Sequence, residues 1–136
     1  MNDADWSRTA APSLDAFAAI AERAWGALPE TFRAMAGDVV LQVADWPDGE
    51  MLDELGIEDA YELTGLYQGV DLTRRSLFDP TPPQSMVFLF RRPILDEWCE
   101  LGDVALGELI THVLVHEVGH HFGLSDEAMA AIETRA

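Results

Sequence analysis

The sequence predicts an α+β fold in one domain. Three observations carry that expectation. Apolar residues recur at helical spacing behind Ser13, two short β-rich runs lie at 39–43 and 86–90, and helical patterns fill the C-terminal part of the chain. With 136 residues, the chain has room for a single hydrophobic core. No internal repeat, low-complexity tract or domain boundary interrupts residues 1–136.

Residues 1–12 read as a flexible lead-in. Ser13 has the chemistry of a helix N-cap, since its hydroxyl can accept from an early unpaired backbone N–H. Behind it Leu14, Phe17, Ala18, Ala21, Ala24, Trp25 and Leu28 share one apolar face. Pro29 ends that helix or begins a short turn. Val39 to Val43 is short and β-branched, and Pro47-Asp48-Gly49 follows with turn residues, which predicts a strand. The acidic stretch 48–59 is read as a surface loop or a short helix.

Leu63 to Tyr67 is a second strand, ended by Gly69. Between Asp71 and Ser85, Pro80, Pro82 and Pro83 rule out a regular element. Met86-Val87-Phe88-Leu89-Phe90 is the clearest strand, apolar on both faces and so expected to be covered on both. Pro93 stops it and suits the first turn of a helix over 94–100. Asp103 is expected to cap the next helix, which runs to about Phe122. Gly123 then stands where a helix end favours a residue tolerating positive φ. A last short helix begins at Asp126.

Acidic residues outnumber basic ones by 25 to 8, a formal charge of −17. Such a field repels nucleic acid and anionic lipid, so neither is expected as a partner. It is a solvated surface, or an attraction for cationic peptide segments. The one cysteine, Cys99, cannot form an internal disulfide. No signal-peptide pattern opens the sequence, and no apolar run approaches the roughly 20 residues of a membrane helix. A cytoplasmic location is expected.

The chemistry concentrates in His116-Glu117-Val118-Gly119-His120-His121-Phe122-Gly123-Leu124-Ser125-Asp126. Residues four apart on a helix lie on one face, so His116 and His120 can direct two imidazole nitrogens at one zinc ion, about 2.0–2.1 Å away. Glu117, the next residue round, carries the carboxylate of a general base. A left-handed turn at Gly123 would bring the chain back so that Asp126 approaches as third ligand. Three protein ligands leave a position open for water, the arrangement of a catalytic metal site. Without a metal, two histidines and a glutamate on an otherwise apolar helix would need other partners to offset their desolvation.

His112 lies one turn before His116, but about 12 Å of helix rise separates it from His120, too far for all three to share one ion. It is read as a packed or supporting residue. His121 is rotated about 100° from His120 and should point away from the metal, as a hydrogen-bonded histidine beneath the site.

These residues resemble a known family, the small bacterial proteins called "possible zinc metallopeptidase" and described as minimal zincins. The resemblance rests on Gly65-Leu66-Tyr67-Gln68-Gly69 with Leu72-Thr73, on Val87 through Ile94, and on Val115 through Asp126. It implies a small mixed sheet packed on an active-site helix, with a mostly helical C-terminal half. It also implies His116, His120 and Asp126 as zinc ligands and Glu117 as the catalytic residue. The wider resemblance is to metzincin-like peptidases, from which the sequence departs in lacking their later methionine-bearing turn.

The expected function is zinc-dependent hydrolysis of a peptide or protein substrate. An extended peptide would lie antiparallel to Met86–Phe90 if that strand forms the sheet edge above the active-site helix. Tyr67, or failing it Arg91 or Arg92, is the candidate to stabilise the oxyanion. Two alternatives share the metal site: a non-catalytic zinc-binding module, and metal-dependent hydrolysis of another bond. Glu117 favours an enzyme, because a structural site has no use for a general base beside its ligands.

Overall fold

The computed structural model describes residues 6–69 and 85–135. The proline-bearing segment, apart from Ser85, and the Leu72-Thr73 pair lie outside them. The architecture is α+β, with six helices and a three-stranded sheet among the described residues. After a single 3-10 turn at Trp6–Arg8, the first helix α1 covers Leu14–Ala27, and the Ser13 hydroxyl accepts from the Ala16 N–H at 3.1 Å.

Pro29 does more than end α1. It opens a second helix, α2 (Glu30–Ala36), with an acidic residue in its first turn and Phe32 buried beneath it. The signal was present in the sequence, since proline with its fixed φ suits a helix start. Strand β1 is Val40–Ala44, one residue later than expected. The acidic stretch that follows does form a helix, α3 (Gly49–Leu55), capped by the Asp48 carboxylate on the Met51 N–H at 2.8 Å. Strands β2 (Gly65–Gln68) and β3 (Met86–Phe90) complete the sheet.

Helix α4 (Arg91–Leu101) starts directly on the end of β3, three residues before the expected boundary, with Pro93 in its first turn. Helix α5 (Leu106–His121) carries the histidines. Asp103 does not cap it: the N-cap position is Ala105, which makes no side-chain capping bond. Helix α6 is Asp126–Arg135, and Ser125 caps it by accepting from the Ala128 N–H at 3.0 Å.

The strand order is β1-β3-β2, with β1 parallel and β2 antiparallel to β3. β3 is therefore the centre of the sheet and not its edge, because its apolar residues bury best with a neighbour on each side. Val87 and Leu89 are fully buried, while Met86 and Phe88 on the other face are half-buried. The available edges are β1 and β2.

Helix α5 packs against α1, α4, α6 and the sheet. Leu109, Ile110, Val113, Leu114, Val115 and Val118 are buried around it, joined by Phe17, Val87, Leu89 and Ile94. Full burial of side chains of this kind stabilises by about 1.5–3 kcal/mol each, so the helix that carries the polar site is also the best-anchored element. Among the described residues, no helix is long and apolar enough to cross a membrane.

Candidate metal centre

The C-terminus of α5 is closed by two backbone bonds. The Leu124 N–H donates to the Gly119 carbonyl at 2.9 Å, and the Gly123 N–H to the His120 carbonyl at 3.0 Å. Gly123 adopts φ 71°, the left-handed conformation that this closure requires and glycine tolerates best. The chain reverses there and enters α6 within three residues, which brings Asp126, its first residue, back towards the last turn of α5.

His116, His120 and Asp126 then offer ligand atoms that all lie within 4.8 Å of one another. Two donors on one zinc ion stand at most about 4 Å apart, given bonds of 2.0–2.2 Å. His120 and Asp126 are exposed and His116 is half-buried. Two imidazoles and a carboxylate are a donor set that suits zinc. Burial, followed by repulsion from His112, lowers the His116 pKa below the ordinary histidine value. That favours the neutral imidazole, the form that binds metal.

Glu117 is not part of that cluster, and its side chain lies at the junction between α5 and β2. A Cβ at Gly65 would lie 2.8 Å from Val113 Cγ1 and 3.1 Å from Glu117 Cγ, so only glycine allows the strand to sit this close to the helix. Burial raises the Glu117 pKa from 4.5 to about 7, with a smaller opposing effect from the Tyr67 backbone N–H, which donates to the carboxylate. The ladder explains that donor. The Phe90 N–H bonds the Thr64 carbonyl at 2.9 Å, and Gly65 stands opposite Leu89. In the antiparallel alternation, the backbone groups of Gly65 and Tyr67 therefore face away from β3. The outer edge of β2 looks onto Glu117.

The other expected residues fall into different places. The Tyr67 ring stacks on His121 at 3.9 Å between centroids and packs beside Phe122. Its hydroxyl lies against Gly69, where a Cβ would stand 2.9 Å from it. His121 thus turns away from His120, as its position on the helix requires, and partners the tyrosine ring. Arg91 is committed elsewhere: its Nε donates to Asp45 Oδ1 at 2.6 Å and its Nη1 to the Pro12 carbonyl at 2.9 Å. That excludes it as a free oxyanion donor.

His112 is not packed. Its side chain is half exposed, with Nδ1 2.9 Å from Glu133 Oε1 of α6. Glu133 did not stand out in the sequence, although a signal existed: it lies seven residues after Asp126 and so on the same face of α6. His112, His116 and Glu133 form a second group whose ligand atoms lie within 4.8 Å of one another. Two clusters capable of coordinating a metal ion thus share His116.

Both clusters depend on how α6 sits on α5. A Cβ at Gly119 would stand 2.5 Å from Met129 Sδ and 2.9 Å from its Cγ, and Met129 is fully buried. Gly119→Val is therefore expected to destabilise the protein by about 1–3 kcal/mol through overpacking. It should also weaken metal binding, because α6 carries Asp126 and Glu133. A melting curve and a zinc titration superimposing on wild type would show that this contact does not hold the helices together.

The sequence profile of the zincin-like metallopeptidase family matches residues 36–136, from the end of α2 through α6. No curated protein matches the chain.

Proposed function

Because the chain belongs to the zincin-like metallopeptidase family, we propose that it hydrolyses peptide bonds with zinc held by His116, His120 and Asp126. The observation that carries this reading is the pairing of that three-donor cluster with a half-buried glutamate on the adjoining helix position. When bound, zinc supplies Lewis acidity, which makes water a nucleophile near neutral pH and polarises a carbonyl. Glu117 accepts the proton of the attacking water and returns it to the leaving amine. Burial raises the Glu117 pKa in the metal-free chain, and a bound cation nearby would favour the carboxylate, the form that accepts the proton.

The substrate peptide lies along the outer edge of β2, where the Gly65 backbone groups and the Tyr67 carbonyl face away from β3 while the Tyr67 N–H is held by Glu117. Main-chain pairing of this kind binds an extended segment with little dependence on its sequence. The negative field of the protein favours cationic segments. Tyr67 has its hydroxyl against Gly69, so its assigned part is the backbone N–H that holds the Glu117 carboxylate, ahead of oxyanion stabilisation. We place the reaction in the cytoplasm, where the exposed thiol of Cys99 would stay reduced.

The test compares wild type with Asp126→Ala for zinc content and for cleavage of a peptide library. Wild type should hold zinc and cleave. The variant should lose at least about 100-fold in zinc affinity at this position, more than is typical for a residue that only supports a ligand. Zinc held without cleavage would move the reading to a binding module, and a wild type without zinc would end it.

A further inference from the structure

A single carboxylate oxygen draws attention away from the first cluster. Glu133 Oε1 is shut off from solvent and makes no hydrogen bond. It stands 2.9 Å from His112 Nδ1 and 3.9 Å from His116 Nε2. The two imidazole rings lie one above the other on α5, with centroids 4.1 Å apart and planes inclined by 40°. An enclosed carboxylate oxygen is costly unless a positive charge, on His112 at ion-pair distance or on a bound cation, offsets it.

We propose that His112, His116 and Glu133 form a second position for a divalent cation of the zinc type, an alternative to the one at His116, His120 and Asp126. The donors are again two imidazoles and one carboxylate, all within 4.8 Å of one another, a set that favours zinc over the hard cations magnesium and calcium. A groove of about 500 Å³ between α5 and α6, lined by Glu108, Thr111 and Glu133 but by neither histidine, lies beside the position. The two carboxylates there favour the approach of a cation.

Helix geometry explains why two positions arise. His112, His116 and His120 follow one another at four-residue steps along one face of α5. Asp126 and Glu133 stand two turns apart along α6, which packs beside it. The two helices therefore present a ladder of three imidazoles to two carboxylates. His116, the middle rung, takes part in both groups. An ion in one position withdraws His116 from the other, so the chain holds its ion in one of two neighbouring places.

The experiment is a calorimetric titration of metal-free full-length protein with zinc alone. The starting variant is His120→Ala with Asp126→Ala, which leaves the second position intact. It is expected to bind one zinc ion per chain, and adding either Glu133→Gln or His112→Ala should weaken that binding at least tenfold. Circular dichroism melts of each variant check that it is folded, and His112→Gln provides a milder change at the same rung. Equal zinc affinity with and without Glu133 and His112 would overturn the proposal. So would a failure of the folded starting variant to bind zinc at all. A third result separates this proposal from the assigned ligand set: if Glu133→Gln alone strips zinc from the otherwise wild-type chain while His120→Ala retains it, the second position stands and the set His116, His120 and Asp126 falls.

Discussion

Glu117→Gln is expected to keep its zinc and to lose peptide cleavage by about 10²–10⁴-fold, the usual contribution of a positioned general base. Glutamine has nearly the same shape, and its amide oxygen can still accept from the Tyr67 N–H that holds the carboxylate in place. The clusters that can hold a metal do not include Glu117, so metal content should be unchanged. What disappears is a group able to take a proton from water and hand it to the leaving amine. Zinc analysis and single-turnover cleavage on the same preparation separate the two effects. A variant that cleaves at the wild-type rate would remove Glu117 from the chemistry, and one that loses zinc would assign it to the metal.

The same substitution should make the metal-free protein more stable at neutral and alkaline pH. Burial raises the Glu117 pKa from 4.5 to about 7, so between those values the folded chain binds a proton that the unfolded chain has released. Stability relative to the variant is therefore fully present below about pH 4.5 and is lost as pH rises through about 7. A shift of that size corresponds to up to about 3 kcal/mol. Urea unfolding of metal-free wild type and Glu117→Gln from pH 4.5 to 8 measures it as a widening gap in favour of the variant. Because other titrating groups are common to both chains, the difference isolates Glu117. A gap that stays constant across this range would mean that the carboxyl is solvated. Adding zinc should narrow the gap, since a nearby cation favours the carboxylate form. A residue that costs stability in its charged form and is needed for turnover is the usual trade at an active site.

Much of the candidate metal cluster was legible in the sequence, because its parts are local. The four-residue step from His116 to His120 follows from the helix itself. The turn that returns Asp126 follows from the left-handed conformation at Gly123, and its two closing bonds form within six residues. The Ser13 cap, the β3 strand and the two C-terminal helices were legible for the same reason: each is defined by neighbours a few positions away. The expected Asp103 cap failed on an equally local matter. Helix α5 begins only at Leu106, so the aspartate lies outside the position whose side chain can reach the first free N–H groups.

Contacts between distant segments decided the rest. The apolar residues of Met86–Phe90 announced a strand but not its neighbours, and pairing with β1 on one side and β2 on the other made it the centre of the sheet. That placement moved the open edge to β2, whose Gly65 closes onto Glu117. Burial beneath this strand, and hence the raised pKa, is invisible in the spacing of the histidine motif. His112 read only as a packed or supporting residue, and Glu133 did not stand out, until α6 packed on α5 over Gly119 and Met129. Residue spacing along one helix specifies which side chains share a face, because the backbone repeat is regular. Which segment that face meets depends on the summed packing of the whole chain, and there the environment of each charged group is settled.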